Sequence, residues 1–110
     1  MELTVNLRNV VLNQWKHEQE RNILKLNESF TVNEKPYWIS ENGNFAIWWQ
    51  KNRWLFGSIN NLGENNSKIR SSKINGFLYP HEIGQNWRFY AKNGRIWLDG
   101  EDNIRIFEST

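Results

Sequence analysis

Two neighbouring stretches, Phe45–Trp49 and Trp54–Ile59, carry large apolar side chains at both alternating positions. A strand points successive side chains to opposite faces. Phe45, Ile47 and Trp49 therefore share one face, and Ala46 and Trp48 the other. In the second stretch Trp54, Phe56 and Ser58 oppose Arg53, Leu55 and Gly57. A sheet built this way cannot leave either face bare in water. It must be covered on both sides or closed on itself.

The flanking residues supply strand and turn chemistry. Tyr37-Trp38-Ile39 is aromatic and β-branched, which suits a pleated, half-buried surface. Pro36 fits a strand start, where its missing N–H is tolerated. Asn42-Gly43, between two apolar runs, is a strong hairpin signal because both residues accept positive φ. Lys51-Asn52 is expected to form the next turn. The stretch Pro36–Gly63 thus reads as three strands joined by two tight turns, and it holds four of the seven Trp.

The rest of the chain follows the same grammar. Leu3, Val5 and Leu7 alternate with polar residues, as in a half-buried strand. Asn13–Asn22 reads as a loop or short helix with Asn13 as N-cap. Ile23–Leu26 and Phe30–Val32 read as two short strand pieces, and Asn60–Lys68 as a polar, turn-rich loop. Ile69–Ile74 is short and mixed, and Gly76–Pro80 is a brief apolar segment stopped by Pro80. In Asn86–Ala91, Trp87 and Phe89 face away from Arg88 and Tyr90. Asn93-Gly94 marks a hairpin, Arg95–Leu98 a strand, Asp99-Gly100 a turn and Ile104–Phe107 a last strand. The stretches FAIWWQKNRWLFG and WRFYAKNGRIWLDG echo each other as hairpins with similar chemistry. Strands recurring about every 8–12 residues indicate a sandwich or barrel. The expected fold is all-β. It is an antiparallel meander forming a small sandwich or partly closed barrel, with at most one short helix near residues 13–22. With 110 residues and no linker, residues 1–110 are expected to form a single domain.

Composition narrows the function. The net charge of +2 comes from interspersed Lys, Arg, Asp and Glu, not from the dense basic face of a duplex-DNA binder. With no Cys there is neither a disulfide framework nor a thiolate metal site. The first residues lack the pattern of a signal peptide. No run approaches the roughly 18 apolar residues of a membrane span. An intracellular, cytoplasmic location without a membrane span is expected.

No catalytic pattern stands out. His17 and His81 lack metal-ligand spacing. No Ser has a Gly-x-Ser-x-Gly setting, and Gly57, Gly63 and Gly76 build no phosphate loop. Asp99, Glu101 and Asp102 lie in a turn, a natural place for acidic residues. The expectation is a protein that is not an enzyme, with no cofactor and no metal.

The aromatics are the functional signal. Seven Trp look like too many for the core alone. Trp48, Trp49, Trp54, Trp87 and Trp97 fall on strands at opposite parities, so some must face each way. With Arg53 they form the candidate ligand-binding set, and Lys51, Arg88 and Arg95 flank it. Trp, Tyr and Arg are enriched at interface hot spots. The first expectation is therefore a non-catalytic interaction or scaffold module, with a protein partner bound on an aromatic-rich sheet surface. One alternative is a carbohydrate-binding module with an exposed Trp platform. Another is a single-stranded nucleic-acid binder, which needs aromatic and basic residues on one face. The mild net charge lowers that reading.

The order of residues also resembles a small, mostly uncharacterised eukaryotic all-β module found in multidomain animal and protist proteins. Its pattern is Val-Asn-Gly-x-Pro-Tyr-Trp, Ala-Ile-Trp-Tyr, Trp-x-Ile-Gly, Leu-Gly, Pro, and two late Trp. Here Val32–Trp38, Ala46–Trp49, Trp54–Gly57, Leu62-Gly63, Pro80, Trp87 and Trp97 resemble those positions. Glu34 stands where the pattern has Gly, and the Cys of extracellular animal versions is absent. The resemblance implies an all-β fold and a modular, non-catalytic role. It implies no ligand and no active site.

Overall fold

The computed structural model describes residues 1–8, 21–91 and 95–109. They form an all-β protein of nine strands: β1 (Glu2–Arg8), β2 (Arg21–Val32), β3 (Lys35–Ser40), β4 (Phe45–Gln50), β5 (Arg53–Ser58), β6 (Ile69–Ser71), β7 (Trp87–Ala91), β8 (Ile96–Asp99) and β9 (Ile104–Glu108). All neighbours pair antiparallel. Their order in the one sheet is β8-β7-β6-β5-β4-β3-β2-β1-β9. Among the described residues the only helical pieces are short 3-10 turns, such as Ile59–Asn61 and Pro80–Glu82. Residues 13–20 of the expected loop or short helix lie outside the described residues, while Arg21 and Asn22 already belong to β2. The Asn93-Gly94 turn also lies outside them.

The meander runs through β1 to β8, and β9 then departs from it. Only Gly100–Asn103 separates β8 from β9, yet these strands hold opposite ends of the sheet order. In a flat sheet, eight strand spacings would put the ends about 38 Å apart. The five Cα steps from Asp99 to Ile104 reach at most about 18 Å. The sheet must therefore curl until its two ends approach. This is the partly closed barrel among the expected folds, a curled half-barrel. Asp99-Gly100 leads into the crossover and not into a hairpin.

Curling turns one face inward. Leu3, Val5, Leu7, Leu26, Trp38, Ile47, Trp54, Phe56, Ile69, Trp87 and Ile104 form a continuous buried core there. The outward face of β4 and β5 has its own small cluster, Ala46, Trp48 and Leu55, packed with Val32, Tyr37, Ile59 and Leu62. Both apolar faces are thus covered, one by closure and one by the loop after β5.

Two details differ from the sequence reading. The two short pieces at Ile23–Leu26 and Phe30–Val32 are one twelve-residue strand, β2. Its register to β3 shifts between Glu28 and Thr31. A bulge of this kind bends a strand, so β2 can serve β1 with one half and β3 with the other. The β3–β4 loop is not a two-residue turn with positive φ at both Asn42 and Gly43. Only Gly43 takes positive φ, at 77°. Its N–H donates to Ser40 O at 2.9 Å, and Asn42 Oδ1 accepts from Ser40 Oγ and Asn44 N.

Lys51-Asn52 does form the two-residue turn, with φ of 50° and 65°. Asn33-Glu34 forms a second one between β2 and β3, with φ of 53° and 70°. Glu34 is an exposed residue with a Cβ in a region that costs L-residues roughly 1–2 kcal/mol. Glu34→Gly is expected to raise stability by about 0.5–1 kcal/mol, the strain relief exceeding the added freedom of the unfolded chain. Urea unfolding of the two proteins measures this.

Candidate functional site

The strand phases decide where each candidate Trp points. Trp49 and Trp54 are directly opposed across β4 and β5 and face inward. Their rings meet edge-on at 5.2 Å, and Phe77 closes on both at 5.3 and 5.9 Å. Trp54 Nε1 donates to Leu78 O at 2.6 Å. Trp87 is also inward and buried. Trp48 points outward but lies under the loop after β5, with Nε1 donating to Glu64 O at 2.9 Å. That loop is held by Asn33 Nδ2 and Gln50 Nε2, both donating to Gly63 O. Gly57 lets it come close, since a Cβ there would stand 3.2 Å from Ser67 Cβ. Trp48, Trp49, Trp54 and Trp87 are therefore packing residues, and the five indoles do not form one exposed platform.

Trp97 behaves differently. On β7, Trp87 and Phe89 take the inward positions, so Arg88 and Tyr90 face out. Tyr90 is paired with Trp97 on β8, which brings Trp97 to the outer face as well. Their rings meet at 5.6 Å. One outward row across the strands reads Leu55, Arg70, Arg88, Asp99. Arg53 lies two residues before Leu55, on the same outward side. Tyr90 N donates to Lys68 O at 2.9 Å, which places Lys68 beside the Tyr90–Trp97 pair.

These side chains form a cation-rich patch. The Arg70 guanidinium lies 3.9 Å from the Trp97 ring centre, and Lys68 Nζ lies 5.0 Å from that of Tyr90. Such contacts stabilise by about 0.5–1 kcal/mol at exposed sites. They orient the cations and cover the rings. Lys68, Arg70, Tyr90 and Trp97, with Leu55 and Asn65, Asn66 and Ser67, line an open cleft of about 270 Å³.

Among the described residues no carboxylate lies within salt-bridge distance of Arg53, Arg70, Arg88 or Lys68. Asp99 is opposite Arg88 in register but its Oδ1 accepts from Glu101 N, at 2.8 Å. Partial burial, and then Arg88, lower the Arg53 pKa below the ordinary arginine value. Arg70 is lowered too, by partial burial first and then by Arg53 and Arg88. The Nε atoms of both Arg53 and Arg70 are buried without a hydrogen-bond partner. Arg70 and Arg88 are directly opposed on neighbouring strands, an unfavourable placement for like charges.

Of the candidate set, the structure brings Trp97 and Arg53 to this face. Sequence reasoning placed Arg88 only as a flanking residue and missed Lys68, Arg70 and Tyr90. The period-two phase of β7 carried the signal for Tyr90. Nothing local could reveal that Arg70 lies between Arg53 and Arg88. No group of three or more His, Cys, Asp or Glu among the described residues could hold a metal ion. No helix among them is long and apolar enough to cross a membrane. No family model, curated protein or solved structure matches the chain.

Proposed function

We propose that the protein is a non-catalytic interaction module that docks an acidic segment of a partner protein on the outward face of β5 to β8. One observation carries this reading. Three arginines and Lys68 share a sheet face, and among the described residues no carboxylate stands within ion-pair distance of them, Asp99 at the end of the row being bonded to Glu101 N instead. Opposed like charges cost stability, on the scale of about 0.2–1 kcal/mol for a cross-strand pair. An incoming carboxylate relieves that repulsion and satisfies guanidinium donors, which match carboxylates in a two-pronged geometry. The accessible rings support charge recognition over sugar stacking, because cations already lie over both of them. Single-stranded nucleic acid is the second reading, since basic and aromatic side chains do share this face.

The test is titration of the protein with an unstructured Glu-rich peptide and, separately, with oligothymidylate. Saturable peptide binding that weakens with salt is expected. Arg70→Ala with Arg88→Ala should weaken it at least about tenfold, since a hydrogen bond to a charged group contributes about 1.5–3 kcal/mol. The same double variant should stay within about 0.5 kcal/mol of the parent's stability, because the relieved Arg70–Arg88 repulsion offsets the lost Arg70–Trp97 contact. Peptide affinity unchanged by the double variant, or oligothymidylate bound more tightly than peptide, overturns the acidic-protein reading.

A further inference from the structure

Two cations of the outward face line one cleft, and both are held in place before any ligand arrives. Lys68 and Arg70 share that lining with Tyr90, Trp97, Asn65 and Asn66. The Arg70 guanidinium lies over the Trp97 ring and the Lys68 ammonium over the Tyr90 ring. Those two rings are themselves in contact. The lining therefore carries two positive groups anchored on neighbouring rings. Arg70 Nε is buried, so the Nη end of that guanidinium is the part that can meet a ligand. Arg88 is opposed to Arg70 across β6 and β7. Arg88 and Arg53 are both close enough for their charges to act on Arg70.

A single carboxylate only partly matches this arrangement. It brings one negative charge to a face shared by Lys68 and three arginines. A phosphate monoester brings about 1.5 to 2 negative charges at neutral pH and three strong acceptor oxygens. It can accept from Arg70 Nη and Lys68 Nζ on separate oxygens, in the field of Arg88 and Arg53. The guanidinium fork matches phosphate as well as it matches carboxylate. Cations already anchored on rings lose little freedom on binding, which lowers the ordering cost that long side chains usually carry. The exposed side-chain amides of Asn65 and Asn66 add neutral donors to the lining. A volume of about 270 Å³ leaves room for a phosphorylated side chain, and the cleft is open enough for the chain bearing it to continue across the face. A nucleic-acid phosphate carries a single charge and gains less from the same groups.

We propose that this cleft receives a phosphorylated side chain of the docked segment, with Lys68 and Arg70 as its direct ligands. The inference rests on the acidic-segment reading above. It adds a regulation to that reading: phosphorylation of the partner strengthens docking.

Three unstructured peptides of one acidic sequence test it, with serine, glutamate or phosphoserine at the central position. Each is titrated against the full chain at one ionic strength. The phosphoserine peptide is expected to bind at least about tenfold more tightly than the glutamate peptide, the effect of one further charge-assisted hydrogen bond. Lys68→Ala should cut that preference to about threefold or less while the glutamate peptide still binds. Arg70→Lys keeps the charge, loses the fork and should cut the preference too. Near-UV circular dichroism checks that each variant is folded. Lys68 is exposed, so Lys68→Ala keeps the test open if the Arg70 variant misfolds. Inorganic phosphate should displace the phosphoserine peptide only at concentrations far above the peptide's own. Displacement at equal concentration would make this a site for free phosphate and overturn the proposal. If neither acidic peptide binds, the docking reading falls and this inference with it. If the glutamate peptide binds and the phosphoserine peptide binds no more tightly, or its preference survives in both variants, this inference alone falls.

Discussion

Trp54→Ala is expected to lower the unfolding free energy by about 3–5 kcal/mol, the range for deleting a fully buried large aromatic. The indole is completely buried and is in ring contact with Trp38, Trp49 and Phe77. Its Nε1 also ties the Gly76–Pro80 segment to the sheet through Leu78 O. Removing it empties the middle of the core and frees the segment that closes over it. A domain of this size has only about 5–15 kcal/mol of net stability, so the variant should be largely unfolded at temperatures the parent survives. Thermal and urea unfolding followed by circular dichroism measures this. A milder pair sharpens the reading. Trp87 is equally deep, but its Nε1 has no hydrogen-bond partner. Trp87→Phe removes an unsatisfied donor, whereas Trp54→Phe strands Leu78 O. Trp87→Phe should therefore cost about 1–2 kcal/mol less than Trp54→Phe. Equal costs would show that the Trp54 hydrogen bond contributes nothing.

Gly100→Ala is the second large effect, a destabilisation of about 1–3 kcal/mol from overpacking. Gly100 has ordinary helical backbone angles, so conformational freedom is not what requires glycine there. Space is. An added Cβ would stand 2.6 and 2.9 Å from Ile104 Cδ1 and Cγ1, and 3.0 Å from Trp87 O. Ile104 is fully buried in the core, so its side chain can yield only by disturbing the residues packed around it. Trp87 O is backbone, fixed by the bond it accepts from Gly100 N. The strain falls on the turn that carries the chain from one end of the sheet to the other. Hydrogen exchange should therefore show lost protection first in β8 and β9. Stability within about 0.5 kcal/mol of the parent, the usual range for surface substitutions, would mean that the crossover is looser than the structure shows.

That crossover marks the limit of what could be read locally. Ile104-Arg105-Ile106-Phe107 is legible as a strand, and Asp99-Gly100 as a break before it. Pairing with β1 across the sheet, and not with β8, depends on residues about a hundred positions away. The long strand β2 was misread for a different reason. Asn27-Glu28-Ser29 looks like a loop because polar residues interrupt the apolar runs. In the structure Asn27 and Glu28 still pair with Ile39 and Trp38 of β3, and the register shifts only between Glu28 and Thr31.

The two echoing hairpins show the same division within the site. Both carry an aromatic pair near the turn. Trp49 and Trp54 face the core, whereas Tyr90 and Trp97 face out, because Trp87 and Phe89 already hold the inward positions of β7. By itself the sequence determined the strands, most of the turns and which side chains share a face. Those are properties of a period-two chain and of residues with particular φ preferences, and both act within a few positions. Only the tertiary structure decided which of two apolar faces became the interior, where β9 went and which Trp stayed accessible. Those outcomes depend on closure of the curled sheet and on the loop laid over Trp48, contacts between residues far apart in the chain.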